Sequence, residues 1–192
     1  VVMSPCAAAA IYHRDIYVSM GGMAEYFFCY YEDVDLGLRF RLLGHETIQL
    51  AGAKVRHVGS TTAGKNSKFI KYYVSRNRIW TFIRCVPGSL FAACLPLMIL
   101  SIVTRLCFSI FAGDTSTKLK AFFDAFRRLF RIWNDRKVIQ KARKSTVLQF
   151  GSDMTWSVGK LILRSSDCRP ISPEKFSKEP GTPFQAGGLD GS

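Results

Sequence analysis

The hydrophobic positions of the first third of the chain come in short runs, each ended by glycine. Residues 6–12 (CAAAAIY) are small and apolar, which suits a buried strand, although an alanine run by itself suits a helix equally. His13-Arg14-Asp15 then opens a short turn or helix that ends at Gly21-Gly22, a pair suited to positive φ. Val34, Leu38 and Leu42 recur at i, i+4, i+8 and predict a helix over 33–43, with Gly44 just past its end and Asp35–Arg39 as an i, i+4 pair on it. Thr47–Leu50 reads as a strand, 51–53 as a turn, 54–58 as a second short strand with alternating character, and 59–64 as a loop.

Longer periods follow. Residues 68–84 (KFIKYYVSRNRIWTFIR) predict a helix, aromatic on one side and basic on the other. Val86 to Thr104 holds no charged residue, enough for a spanning helix; Pro87, Gly88 and Pro96 interrupt it, so a pair of short helices in the membrane interface fits as well. Within 118–144, Leu119, Phe122, Phe126, Leu129 and Trp133 form a 3-4-3-4 stripe that Phe123 and Phe130 widen, and ten Lys/Arg face two Asp. A basic amphipathic helix of that kind predicts an in-plane membrane anchor; the alternative is a helix packed on the domain with a solvated basic face. Residues 165–192, rich in Ser, Pro and Gly, predict disorder.

Charge divides the chain. Residues 1–64 carry five Lys/Arg and six Asp/Glu, whereas residues 65–192 carry 22 and 8, so the net charge of +13 resides in the second part. A near-neutral chemical module joined to a basic segment that meets phosphates follows from that split. A nucleic-acid partner is disfavoured, because the aromatics fall on the apolar stripe and not between the basic residues. Six cysteines without paired spacing read as reduced thiols in a cytosol-facing protein, without a disulfide or metal framework. No signal peptide is evident, and the start at Val1 predicts a fragment of a longer chain.

The densest chemistry lies in YYEDVDLGLRFRLLGH (30–45), which places Glu32, Asp33 and Asp35 at a helix start directly after the aromatic EYFFCYY. An EF-hand loop does not fit, since Gly37 comes one place early and Gly44 stands where a bidentate Glu is needed. An Asp-x-Asp metal pair is formally present but begins a helix instead of ending a strand. A general base suits the position, because a neighbouring acid raises proton affinity while the helix start favours the ionised form; solvated helix-start acids are the plain alternative.

The ordered succession GGMAEYFFCYYEDVDLGLRFRLLGHETIQLAGAKVRHVGS resembles the C-terminal half of the catalytic domain of family 2 inverting glycosyltransferases, the rhamnosyltransferase-like and galactofuranosyltransferase-like members above all. The matching parts are Gly21-Gly22, Phe27-Phe28, Glu32-Asp33 with Asp35 and Arg39, Gly44, and His57 before Gly59-Ser60, followed by YYVSRNRIW at 72–80. The resemblance implies an α/β fold: the acceptor-side half of a GT-A, Rossmann-like domain over 1–64, then an aromatic and apolar membrane-associated segment over 65–112, a basic amphipathic helix over 113–150, and a tail. It implies Asp33 as the base that deprotonates the acceptor hydroxyl, with Glu32 as its partner. Asp35 and Arg39 would serve acceptor binding or structure. A divalent metal, Mn or Mg, would offset the leaving diphosphate, with His57 as a metal ligand; by itself His57 reads as structural. Arg76 and Arg78 would reach the phosphates of donor or lipid, or face the membrane.

The implied partners are a nucleotide-sugar donor, a glycan or lipid-linked acceptor and a membrane surface at the cytoplasmic face. Two departures stand out. Ala24 occupies a place where the family often has an acid, and the nucleotide-binding half with its own Asp-x-Asp, which the family places before this segment, has no counterpart within residues 1–192. Both also fit a non-catalytic membrane module derived from such an enzyme. His13 and His45 read as surface or packing residues.

Overall fold

The computed structural model describes residues 1–50, 52–53, 55 and 67–156. Seven α-helices occur among them: α1 (Arg14–Ser19), α2 (Glu32–Leu42), α3 (Lys68–Cys85), α4 (Gly88–Ala112), α5 (Thr115–Arg127), α6 (Leu129–Lys141) and α7 (Val147–Asp153). The α/β, Rossmann-like architecture implied by the resemblance is therefore corrected. The described residues contain no strand or sheet, only an isolated antiparallel bridge between Val2 and Thr47. Residues 7–9 of the apolar run form a 3-10 turn, and Ile48–Leu50 carry no regular structure. Apolar runs and alternation report which way side chains face, whereas a strand exists only with a partner for its hydrogen-bond ladder. The expected second strand (54–58) and the loop 59–64 lie mostly outside the described residues, as does the tail from 157.

The helices assemble around α3. Its N-terminus is capped by Ser67, whose hydroxyl accepts from the Ile70 N–H at 3.2 Å. One side of α3 joins a core of Phe27, Ile79, Trp80, Ile83, Phe122, Ala125 and Ile132, all buried. Phe27 meets the Trp80 ring edge-on, and the Trp80 indole N–H donates to the Ala125 carbonyl at 3.1 Å, fixing α5 against α3. At the other end of α3, α6 closes the free carbonyls of the last turn. Arg136 donates to the Ile83 and Val86 carbonyls, and Gln140 to those of Arg84 and Cys85.

A single basic helix over 118–144 is also corrected: α5 and α6 are separate helices that meet at Arg128. Ala121, Phe122, Ala125, Ile132 and Arg136 point inward, while Leu119, Phe123, Phe126, Leu129, Phe130 and Trp133 remain exposed. The stripe read from the sequence is thus mostly an outer surface.

α4 continues eight residues past Thr104 through Pro96 and ends at Gly113, whose φ of 65° supplies the left-handed cap. It is long and apolar enough to cross a membrane, and its most apolar stretch is not buried within the chain. It runs back along α3. Phe91 packs on Phe82 (5.1 Å between centroids), Ser101 meets Arg78, and just beyond the helix Asp114 pairs with Lys71 at 2.8 Å.

α2 is joined to α3 through charge. Asp35, fully buried, receives the Arg39 Nε–H at 2.8 Å, and Arg84 of α3 approaches its second oxygen to 3.2 Å. Gly37 lets the chain start pass close by: a Cβ there would lie 2.6 Å from the Ser4 Cα. Replacing Asp35 by Asn leaves buried Arg39 without its counter-charge and Arg84 with only the more distant Asp135, at 3.9 Å. Urea denaturation of Asp35→Asn is expected to show a loss of about 3–5 kcal/mol, whereas an exposed Asp15→Asn control stays within about 0.5 kcal/mol.

Candidate active site

The acidic cluster sits where a strained loop enters α2. Phe28, Tyr30 and Tyr31 hold φ values of 69°, 64° and 72°, a conformation that costs a non-glycine residue about 1–3 kcal/mol. Two side chains of α3 hold this loop in place. The Asn77 amide nitrogen lies within hydrogen-bond range of the Phe27, Cys29 and Tyr30 carbonyls at 3.0, 2.8 and 2.7 Å. Arg76 donates to the Tyr26 and Phe27 carbonyls at 3.3 and 3.0 Å and to the Asn77 side-chain oxygen at 2.9 Å. Its guanidinium lies between the Tyr73 and Trp80 rings, 4.7 and 4.2 Å from their centroids. The Arg-Asn-Arg segment therefore acts here through its first two residues as an anchor of loop 26–31.

The three acids of the cluster receive different surroundings. Asp35 points inward to Arg39, Arg84 and the Cys85 thiol, whose pKa is raised well above its ordinary value by burial and by Asp35. Arg39 also donates to the Met20 and Gly22 carbonyls at 3.0 and 2.7 Å, so it ties the Gly-Gly turn to α2. Asp35 and Arg39 are thus interior struts.

Asp33 is half-buried at the helix start. One oxygen accepts from its neighbour's N–H, on Val34, at 2.8 Å, and the other from the Ala7 N–H at 3.1 Å. Glu32, beside it, is pushed up from its ordinary value of 4.5, chiefly by burial and then by Asp33, against a backbone hydrogen bond that pulls it down. Its Oε2 is shielded from water and meets no hydrogen-bond partner among the described residues.

Tyr12, which sequence reasoning did not single out, belongs to the same place. It stacks on Phe40 with ring centroids 6.0 Å apart, and its hydroxyl is likewise shielded and unpartnered among the described residues. Burial, then Asp33, raises its pKa, and Glu32 adds to the effect. The arrangement joins a carboxylate bound by backbone N–H groups, a more basic carboxyl with an unpaired oxygen, and a protonated phenol. Such a set can accept a proton from a hydroxyl and hold that hydroxyl's oxygen. Asn77 was also passed over; the one uncharged polar residue between two arginines in an aromatic helix was the available signal.

His57 lies outside the described residues. Among these residues no three His, Cys, Asp or Glu side chains come together to hold a metal. Asp35 is taken by arginines and Asp33 by backbone N–H groups, so the described residues alone do not supply the donor set for the divalent ion. Arg78 is half-buried on α3 and donates to the Ser101 hydroxyl of α4 at 3.2 Å.

Because folding raises the Glu32 pKa, its contribution to stability is full below the unfolded value and is lost as pH rises through the folded one. Glu32→Gln is therefore expected to melt at a higher temperature than the parent at pH 7. The gap should close as pH falls to 4, as read by thermal denaturation across pH; an equal gap at both pH values contradicts the assignment. Compared with models of known protein families, with curated proteins and with solved structures, the chain matches none.

Proposed function

We propose that these residues form the acceptor-side part of an inverting glycosyltransferase working at a membrane surface, with the Glu32–Asp33 pair as its proton acceptor. The supporting observation is the pair itself. It stands at the start of α2, held by a strained and anchored loop, with one carboxyl raised in pKa and one oxygen of that carboxyl without a partner among the described residues. Strain of this kind tends to gather at functional sites. In the reaction, the acceptor hydroxyl gives its proton to the carboxylate pair as its oxygen attacks the anomeric carbon of a nucleotide sugar. The bond to the diphosphate breaks on the opposite face, so configuration inverts and no covalent intermediate with the enzyme forms. Tyr12 would hold the acceptor oxygen.

Membrane association rests on the outer faces of α4, α5 and α6. Phe111, Phe123 and Phe130 are 91%, 69% and 82% exposed, and Leu97, Leu100, Leu119 and Phe126 lie exposed on the same helices. Such a surface, accompanied by the basic residues of α5 and α6, suits a bilayer with anionic head groups. Because α4 lies along α3, a spanning position would take Lys71, Arg76 and Arg84 through the hydrocarbon with it. Placement in the plane of the interface avoids that cost. The free thiols of Cys6, Cys29, Cys85, Cys94 and Cys107 suit the cytoplasmic face.

Transfer is measured in membranes of cells producing the full-length protein, over a panel of nucleotide sugars with and without Mn²⁺ or Mg²⁺. Loss of the base costs about 10²–10⁴-fold in rate, so Asp33→Asn and Glu32→Gln identify which carboxyl carries the proton. Undiminished transfer in both variants rejects the assignment, and absence of transfer with every donor favours the non-catalytic membrane module. Separately, Phe123→Ser with Phe130→Ser is expected to weaken binding to anionic vesicles about tenfold or more while leaving the helical circular dichroism intact.

A further inference from the structure

Among the described residues the inward-facing cations are matched, with one exception. Arg39 and Arg84 share Asp35, Arg41 lies near Glu46 and Asp153, and Lys71 and Lys118 share Asp114. Arg76 and Arg136 are directed at backbone carbonyls. Arg78, half-buried where α3 passes α4, forms no ion pair among the described residues. Its Nη1 donates to the Ser101 hydroxyl at 3.2 Å, while Nε and Nη2, shielded from water, meet no acceptor there. The charged group that acts on it is a second cation. Burial, then Arg105, lowers the Arg78 pKa, and only the Tyr31 phenol opposes them. A guanidinium with two unmade bonds beside another arginine is costly unless an anion completes it.

We propose that Arg78, Ser101 and Arg105 form a binding site for a phosphomonoester or diphosphate group. A guanidinium fork matches two phosphate oxygens. Ser101 accepts from Arg78 and so keeps its own hydroxyl proton to donate. Arg105, one turn further along α4 and exposed, supplies the second charge. Leu97, Leu100 and Val103, exposed on the same helix, would lie against the chain of a lipid that carries the phosphate, and Tyr31, next to Glu32, adjoins the other end. The site stands whether or not the Glu32–Asp33 pair transfers a sugar.

The test compares vesicles of phosphatidylcholine containing either phosphatidic acid, a phosphomonoester, or phosphatidylglycerol at equal surface charge. Arg78→Gln and Arg105→Gln are each expected to weaken binding to phosphatidic acid vesicles about tenfold, the effect of losing charge-assisted hydrogen bonds. Phosphatidylglycerol binding should change no more than in Arg127→Gln, an exposed control. Should Arg78→Gln alter the circular dichroism, the exposed Arg105→Gln decides. Soluble pyrophosphate that displaces the protein from phosphatidic acid vesicles identifies a diphosphate in solution as a ligand of the same site. Lack of displacement with the preference retained identifies the lipid-borne group. Equal weakening on both vesicle types, or losses matching the Arg127→Gln control, overturns the proposal.

Discussion

The hold of Arg76 and Asn77 on loop 26–31 is the constraint on which the rest of this structure depends. Three residues of that loop, Phe28, Tyr30 and Tyr31, have positive φ without being glycine, and the chain stays there because five donor contacts from α3 meet its carbonyls. Polar side chains buried in an aromatic setting act strongly, because the carbonyls they serve have no water to turn to. The anchoring decides where α2 begins, and with it where Glu32 and Asp33 stand. It also carries Phe27 into the core against Trp80, so that the aromatic packing and the acidic cluster depend on the same contacts.

The neighbouring charge network divides three adjacent acids into different kinds of group. Asp35 lies one helical turn from the loop and faces α3, where Arg39 and Arg84 hold it as a carboxylate in the interior. Asp33, two residues earlier, turns toward the chain start and accepts the Ala7 N–H. Glu32 has neither arrangement, and burial without a compensating cation lifts its proton affinity. A rotation of about 100° per residue along a helix is enough to give these carboxylates different surroundings within a single turn.

The basic half of the chain follows a different logic. α3 gathers charge inward and satisfies it with carbonyls, aromatic faces and Asp35, while α4, α5 and α6 turn large apolar side chains outward. Covering that outer surface with lipid would bring head groups to the seam between α3 and α4, where the Arg78 Nε and Nη2 meet no acceptor among the described residues. An exposed apolar surface and an acidic cluster are thus both joined to the same central helix.

The sequence by itself determined part of the helical pattern. Period and punctuation placed a turn or helix before Gly21-Gly22, α2 before Gly44 and α3 over the aromatic-basic run, because helical periodicity and capping are local properties; they left the apolar run from Val86 open between one kinked helix and a pair of short ones. The Asp35–Arg39 pair was legible for the same reason, being set by spacing along one helix. Only the tertiary structure decided what those helices bury. The strands expected at 6–12 and 47–50 needed ladder partners from distant segments, and one Val2–Thr47 bridge is all that forms among the described residues. The stripe of α5 and α6 read as a membrane anchor, with a face packed on the domain as the alternative; packing on α3 chose Ala121, Phe122 and Ala125 and left Phe123, Phe126 and Phe130 outside. Likewise Arg76, which the sequence left open between a phosphate contact and a membrane-facing or structural role, anchors a loop through carbonyls some fifty residues away that no local pattern records. Periodicity states which residues share a face; which face meets protein, water or lipid depends on what the rest of the chain brings to it.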